Sequence, residues 1–231
     1  MMKFRLLLMA LVLTLSSQIS FAQDSTYISN EYAKAVALYN RAQRYNDGVL
    51  TRQALMEMAI LSPRDTSVLR SLAELYFNNG QYVSSAMVSM DMVKLHPNNM
   101  VALEIAALSY ESLRLYDKAI EQYEAMWLNT ENTTILYQIT YLQYMIDRYE
   151  EAKANLNILQ SKIKDGDKIS LSKQDGSVQE VAFAAALQNL RGLIAKDQGN
   201  VEAARTHFTK ALEITPEFEA AKNSLAELNK G

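Results

Sequence analysis

The chain repeats itself at an interval of 34 residues. The residues that share this interval are leucines, alanines and tyrosines: Leu69, Leu72, Ala73, Tyr76 and Tyr82 recur as Leu103, Ala106, Ala107, Tyr110 and Tyr116. The first four of each copy stand at i, i+3, i+4 and i+7, the spacing of an apolar stripe on a helix. Pro63 and Pro97 keep the same interval, and each follows an apolar helical run. A period in this range predicts helical units that bury their apolar faces by stacking on one another.

These marks resemble those of the tetratricopeptide repeat, a helix-turn-helix unit. The last unit carries the resemblance most fully, with these marks in register: Gly192, Ala195, Gly199, Ala204, Phe208, Ala211 and Pro216. The resemblance implies an all-α fold, a right-handed α-solenoid of about five helix-turn-helix repeats plus a C-terminal capping helix. It also implies that the chain acts by binding a partner.

The second unit, residues 65–98, is the clearest copy. Its small residues Ala73 and Ser85 are expected to let its two helices approach closely. The second of these helices starts at Gln81-Tyr82 and has four apolar residues that we expect to be buried: Met87, Val88, Met92 and Val93.

Other units depart from the pattern. Residues 30–63 keep the length and the closing proline but few other marks. Glu131 replaces the proline expected after the third unit, residues 99–130, and the fourth unit is one residue short. A tighter turn at Asp147-Arg148 is the predicted cause of that shortening. After Pro216 an amphipathic stripe predicts a capping helix from Glu217 to about Lys230, with Thr215 as its N-cap.

One segment interrupts the period. Ala152 and Ala204 hold equivalent positions but are 52 residues apart, which is 18 more than one period. Most of this insertion falls within about 164–181. Residues 168–172 and 177–181 alternate apolar and polar side chains around Asp175-Gly176, which predicts a short β-hairpin before the last repeat. A disordered polar loop and an early start of the next helix are the alternatives.

Residues 1–22 have the pattern of a signal peptide. Lys3 and Arg5 precede an apolar run, and Ser20-Phe21-Ala22 supplies small residues at a cleavage site. The run is about ten residues, half of what a transmembrane helix needs. A membrane anchor or a buried N-terminal helix is the alternative. We therefore predict cleavage after Ala22 and a repeat domain over 23–230, which is soluble and periplasmic or secreted and has no membrane span.

Composition narrows the function further. The chain has no cysteine, which excludes disulfides, thiol chemistry and a lipid-modified cysteine after the signal. Removal of Lys3 and Arg5 takes the formal net charge from −3 to −5. A mildly acidic chain without a basic face is not expected to bind nucleic acid.

The sequence offers no catalytic, metal or cofactor site. His96 and His207 lack the spacing of a metal pair, and both are expected to be solvated or capping residues. No serine stands in a nucleophile elbow, and no glycine-rich phosphate loop is present. We therefore predict a protein that is not an enzyme and that needs no cofactor and no metal.

The family resemblance points to a binding groove. In tetratricopeptide proteins the concave surface is lined by residues of each first helix that lie off the packing stripe. Carried over by register, this assigns thirteen residues to the groove: Arg70, Glu74, Phe77, Asn78, Glu104, Leu108, Glu111, Gln138, Leu142, Met145, Asn189, Leu193 and Lys196. Its glutamates favour an extended peptide or helix that is basic rather than acidic. Of Tyr137, Tyr141 and Tyr144, at least one is expected to face this groove or a partner.

The leading hypothesis is a non-enzymatic scaffold or adaptor of the bacterial periplasm that binds a peptide or protein through the concave groove. The alternative is an accessory subunit of an outer-membrane assembly, secretion or polysaccharide-handling complex. Self-assembly through the ends of the repeat array is a third hypothesis.

Overall fold

The computed structural model describes residues 26–173 and 175–229, and in them the chain forms eleven helices and one β-hairpin. It divides between Pro97 and Asn98 into two compact units. The first unit contains α1 (residues 26–44), α2 (Gly48–Leu61), α3 (Thr66–Asn78) and α4 (Tyr82–Leu95). The predicted signal peptide lies outside the described residues. Among the described residues, no helix combines the length and the apolar character needed to cross a membrane.

The second unit contains four further helices, a two-stranded antiparallel sheet and three last helices. In chain order these are α5 (Met100–Ser112), α6 (Tyr116–Thr130), α7 (Thr133–Met145), α8 (Tyr149–Lys162), β1 (Lys168–Ser172), β2 (Val178–Ala182), α9 (Phe183–Asp197), α10 (Val201–Ile214) and α11 (Glu219–Leu228). The predicted fold class is confirmed: an all-α solenoid of helix-turn-helix repeats with a β-hairpin before the last repeat.

Short polar side chains start the first helices of the repeats. The carboxylate of Asp65 accepts hydrogen bonds from the N–H groups of Ser67 and Val68 at the start of α3. Asn99 and Asn132 cap α5 and α7 in the same way. Each of these side chains satisfies backbone donors that would otherwise have no partner, which is worth about 1 kcal/mol per cap.

The turn between the two helices of a repeat has one geometry throughout the described residues. In all five repeats it spans three residues, and the middle one has a left-handed backbone: Asn46 (φ 54°), Gly80 (φ 70°), Arg114 (φ 57°), Asp147 (φ 60°) and Gly199 (φ 78°). The prediction of a tighter turn at Asp147-Arg148 is therefore wrong.

The fourth repeat is one residue short because the connection from α6 to α7, which precedes it, is short. Residues 96–99 join α4 to α5, whereas only residues 131–132 join α6 to α7. Helix α6 has 15 residues against 14 in α4, so the step from one repeat to the next shortens by one. Glu131 makes this short connection with a left-handed backbone, φ 50°.

In the first unit, buried residues of α1, α2 and α3 form one cluster that includes Ala35, Leu55 and Leu72. As predicted, the small residues bring α3 and α4 together: the Ser85 hydroxyl donates to the Ala73 carbonyl over 3.0 Å. One predicted core residue is corrected, because Met87 is 66% exposed.

In the second unit, the last helix pair makes the closest contact. Gly192 of α9 lies against the Phe208 ring of α10 so closely that a Cβ on Gly192 would stand 2.5 Å from Phe208 Cε1. Phe208 is fully buried. The glycine of the repeat motif is therefore needed here for space rather than for backbone freedom.

Two predictions about the C-terminal helix are corrected. Helix α11 begins at Glu219, not Glu217, and its N-cap is Phe218, which offers no capping side chain. The Thr215 hydroxyl instead accepts a hydrogen bond from the Ala182 N–H at the end of β2. The hairpin thus uses the polar group that the sequence assigned to the helix.

Candidate functional site

A cavity of about 460 Å³ opens in the second unit. Its walls come from α7, the inserted hairpin, α9 and α11, with these residues contributing: Tyr137, Gln138, Tyr141, Ser170, Leu171, Ser172, Lys173, Gln179, Asn189, Leu193, Phe218, Glu219, Ala220, Asn223, Ser224 and Glu227. Helices from three successive parts of the repeat array and the insertion therefore meet at one site.

The apolar part of the wall is largely aromatic. Tyr137 is 6% exposed and packs edge-on against Phe183, with ring centroids 5.7 Å apart. Burial raises the pKa of Tyr137, so its hydroxyl stays neutral at physiological pH. Tyr141 is 37% exposed and lines the same cavity. Two of the three tyrosines of α7, Tyr137 and Tyr141, therefore line this cavity.

The charged residues of the wall are paired. Lys173 Nζ lies 2.9 Å from a carboxylate oxygen of Glu219, which joins the hairpin to the start of α11. Glu227 pairs with Lys196 over 3.2 Å, which joins α11 to α9. Because each carboxylate has a cationic neighbour, the cavity presents aromatic, amide and hydroxyl groups rather than net charge.

Gln138 is held by a half-buried carboxyl group, that of Glu111. Its Nε2 donates to one oxygen of Glu111 over 2.9 Å, and the Tyr123 hydroxyl donates to the other over 2.5 Å. Burial raises the pKa of Glu111, and the two hydrogen bonds offset part of that rise. Glu111 therefore orients Gln138 on the cavity wall instead of offering a solvated charge to a partner.

Asn189 is the polar residue of the cavity wall whose side-chain oxygen lacks a hydrogen-bond partner among the described residues. It is 6% exposed, and its Oδ1 is buried without a hydrogen-bond partner among the described residues. A buried acceptor left in this state costs about 1–3 kcal/mol. A donor brought into the cavity would remove that cost once the carboxamide turns toward it.

The hairpin is fixed to the helices on one side. Gln179 of β2 donates from Nε2 to the Glu217 carbonyl over 2.6 Å and accepts at Oε1 from the Glu219 N–H over 3.1 Å. At its base, the Phe183 N–H donates to the Asp167 carbonyl over 2.8 Å. The inserted segment is therefore a built wall of the cavity and not a loose loop.

The structure brings together only some of the groove residues assigned from the family resemblance. Gln138, Asn189 and Leu193 line the cavity, and Lys196 reaches its rim through Glu227. Leu142 is corrected, because it is 1% exposed and belongs to the core.

The other assigned residues of the second unit lie outside the cavity wall. Glu104, Leu108 and Met145 are exposed on α5 and α7. In the first unit, Arg70 and Glu74 pair with each other over 2.7 Å, Phe77 packs edge-on against Tyr82, and Asn78 is exposed at the end of α3. The pairing of Glu74 and the burial of Glu111 weaken the expectation of an acidic groove.

Two polar residues of α9, Gln188 and Arg191, have partners inside the second unit. Arg191 donates to the Leu156 carbonyl over 3.2 Å and to the Asn157 side chain over 3.0 Å. Gln188 bonds the His207 ring over 2.8 Å. The prediction that His207 is a solvated or capping residue is corrected, because its ring is half-buried. Burial lowers the pKa of His207, with smaller contributions from Arg191 and Lys210. No group of three or more potential metal-binding side chains occurs in the described part of the chain.

Sequence reasoning missed the walls supplied by β1 and α11. The signal for β1 is the insertion itself. The sequence predicts a hairpin there, but it does not predict that the hairpin lies beside α7, α9 and α11. For α11 the signal is weaker, because an amphipathic stripe at the end of a repeat array predicts only a capping helix. Its polar residues Glu219, Asn223 and Glu227 in fact face the cavity.

Comparison with known proteins agrees with this architecture. A family model for the tetratricopeptide repeat matches residues 185–218, the last repeat. No curated protein matches the sequence.

Among solved structures, a tetratricopeptide repeat protein from Parabacteroides merdae aligns with a TM-score of 0.63 at 16% identity, over 87% of this chain and 73% of that one. The MamA protein aligns with a TM-score of 0.59 at 17% identity, over 83% and 97% of the two chains. YrrB, described as a tetratricopeptide repeat protein with an unusual peptide-binding site, aligns with a TM-score of 0.60 at 13% identity, over 88% and 96%. The family model therefore identifies the last repeat as a tetratricopeptide repeat, and the described residues share the fold of tetratricopeptide repeat proteins.

Proposed function

We propose that this protein is a non-enzymatic interaction scaffold that binds a peptide segment of a partner protein in the cavity of its second unit. The observation that carries the proposal is the cavity itself, about 460 Å³ and walled by aromatic and amide side chains. Such a wall suits peptides, because tyrosines give large contact areas while amides select groups that form hydrogen bonds.

The polar groups of the wall favour a neutral peptide segment. Lys173 and Lys196 neutralise Glu219 and Glu227, so a charged ligand would have to break an existing ion pair. Asn189 instead needs a neutral donor, and a peptide N–H supplies one. The proposed ligand is therefore a neutral peptide, and not the basic peptide that the glutamates of the sequence favour.

The described residues also support a role in binding rather than catalysis. Repeats and the inserted hairpin account for the described residues. Three cavity residues, Tyr137, Tyr141 and Lys173, have raised pKa values: burial raises those of the two tyrosines, and the contact with Glu219 raises that of Lys173. YrrB, which shares the fold, is described as binding a peptide. We further propose that the protein lies in the periplasm. As the alternative to a free scaffold, it would be an accessory subunit of an outer-membrane complex. Fractionation of cells and co-purification with membrane proteins would test them.

The binding test uses the full mature chain and a displayed library of short random peptides. Selected peptides are then measured by calorimetry against Tyr141→Ala, with Tyr45→Ala as the matched control. Tyr45 is 68% exposed but lies in the first unit. We expect Tyr141→Ala to weaken binding at least tenfold and Tyr45→Ala to leave it unchanged. Failure to select any peptide, or equal effects of the two variants, would overturn the proposal.

A further inference from the structure

The β-hairpin has one covered edge and one open edge. The bonds from Lys173 N–H to the Ser177 carbonyl and from Phe183 N–H to the Asp167 carbonyl fix which residue pairs exchange backbone hydrogen bonds. In an antiparallel ladder these pairs alternate with pairs whose backbone groups point outward. The outward pairs are therefore Lys168 with Ala182, Ser170 with Glu180 and Ser172 with Val178.

The outer edge of β2 is covered by the rest of the unit. The Ala182 N–H, which points outward, donates to the Thr215 hydroxyl over 3.3 Å. Gln179 bonds the backbone of Glu217 and Glu219 beside it. This edge therefore already has its neighbour, the connection from α10 to α11.

The outer edge of β1 has no such neighbour among the described residues. The outward N–H and C=O groups of Ser170 and Ser172 make no hydrogen bond to the described residues. Ser170, Leu171, Ser172 and Lys173 all line the cavity, although successive strand residues point to opposite faces. The cavity therefore reaches the edge of β1 as well as the face that carries Leu171 and Gln179.

We propose that β1 receives the partner as an added strand: an extended peptide pairs with the outward backbone groups of Ser170 and Ser172 while lying in the cavity. This inference rests on the proposed function and specifies how the peptide is held. The two serines are two strand positions apart, about 6.8 Å, and an extended backbone presents its N–H and C=O groups at that same spacing. Strand addition of this kind gives affinity through the main chain and specificity through alternate side chains.

The cavity defines the side chains that the strand would carry. Every second residue of a strand beside β1 would face the aromatic and aliphatic wall of Tyr141, Leu193 and Phe218. The partner segment is therefore extended, neutral and apolar at alternate positions. The carboxamide of Asn189 on α9 is placed to accept a peptide N–H from the other side of the strand.

Proline substitution tests the edge directly. Proline removes an N–H and is tolerated on an edge strand where that N–H is not used within the sheet. We expect Ser170→Pro and Ser172→Pro each to weaken binding of a library-selected peptide about tenfold or more. Val178→Pro, which removes an outward N–H from β2 at an exposed position away from the cavity wall, is the matched control and is expected to have no effect. Circular dichroism and melting temperature verify that all three variants fold.

Two further measurements separate strand pairing from other modes of binding. Peptides N-methylated at alternate residues should lose binding for one parity of positions and keep it for the other. Amide hydrogen exchange at Ser170 and Ser172 should slow on binding, while Leu171, already bonded within the hairpin, should change little.

The outcomes distinguish the two proposals. If Tyr141→Ala weakens binding but the proline variants and N-methylation do not, strand addition is overturned and the peptide scaffold stands. If the library yields no peptide, both are overturned. If instead the chain forms dimers that Ser172→Pro abolishes, the edge pairs with a second copy, and the proposal of a partner strand is overturned.

Discussion

Gln179 caps a helix that begins 40 residues later in the chain. Its Oε1 accepts a hydrogen bond from the Glu219 N–H over 3.1 Å, where helix α11 has no capping side chain of its own. A single amide from the inserted hairpin thus replaces a local N-cap. The hairpin and α11 are the two walls of the cavity that the repeat motif does not supply, and this contact couples them.

We predict that Gln179→Ala loosens both walls together. The variant loses a cap and the bond to the Glu217 carbonyl, so the free energy of unfolding should fall by about 1–2 kcal/mol. Urea denaturation measures the loss, and hydrogen exchange should quicken at the first amides of α11. Gln160→Ala, an exposed position of α8, is the control and should have little effect. Exchange that stays slow in α11 would show that the helix does not need this cap.

Glu111 gives the protein a pH dependence that can be isolated. Its folded pKa is raised above the ordinary value of 4.5 by burial, so its contribution to stability is full below that value and is lost as the pH rises through the folded pKa. Glu111→Gln removes the charge while keeping the shape. We expect the variant to gain stability relative to the natural protein as the pH rises from about 4.5 toward neutrality.

Denaturant unfolding at a series of pH values measures this difference. Glu104→Gln, an exposed position on the same helix, is the control. Its stability should run parallel to that of the natural protein across the range. Parallel curves for Glu111→Gln as well would contradict the assigned role of burial.

The repeat period predicted the architecture because it records local geometry. Apolar stripes and the turn at Asp175-Gly176 depend on residues close together in sequence, and the structure follows them, whereas the start of α11 differs because Thr215 bonds the distant Ala182. The missing residue of the fourth repeat was also readable, since Leu103 and Leu136 are already 33 residues apart before Asp147 is reached. The shortening therefore falls before the turn at Asp147 and not within it.

The cavity depends on contacts that no local pattern records. Gln179 reaches Glu219 across 40 residues, and Gln138 reaches Glu111 across 27. Three residues assigned from the family register, Gln138, Asn189 and Leu193, line the cavity, but the register does not show that Leu142 is buried or that Glu111 is held by hydrogen bonds. Those outcomes depend on how α7 sits against α6, α8 and α9.

The left-handed turn residue predicts a route to higher stability. Arg114 has φ 57°, a backbone that costs about 1–2 kcal/mol for a residue with a Cβ. Glycine removes that cost but adds backbone entropy to the unfolded chain, so Arg114→Gly should raise the free energy of unfolding by about 0.5–1 kcal/mol. Arg114→Val, with a branched side chain, should lower it. Chemical denaturation measures both.

The reciprocal change at the equivalent turn of the first unit is the control. Gly80 has φ 70° and nothing within 4 Å of a Cβ placed on it. Gly80→Ala should therefore destabilise through backbone strain alone, by about 1 kcal/mol. If Arg114→Gly and Gly80→Ala shifted stability in the same direction, strain at this turn position would not be the cause.

The last prediction concerns the close contact of α9 with α10. A Cβ on Gly192 would lie 2.5 Å from Phe208 Cε1 and 2.6 Å from Cδ1, and the Phe208 ring is fully buried. Alanine favours a helix over glycine by about 1 kcal/mol, whereas overpacking of a core costs about 1–3 kcal/mol. We therefore expect Gly192→Ala to lower the melting temperature and the free energy of unfolding.

Gly48→Ala, where a Cβ meets nothing within 4 Å, should be neutral or stabilising. Adding Phe208→Leu to Gly192→Ala should cost less than the two single changes together, because the smaller side chain vacates the space that the new methyl group needs. Simple additivity in that cycle would mean that the two residues do not compete for space.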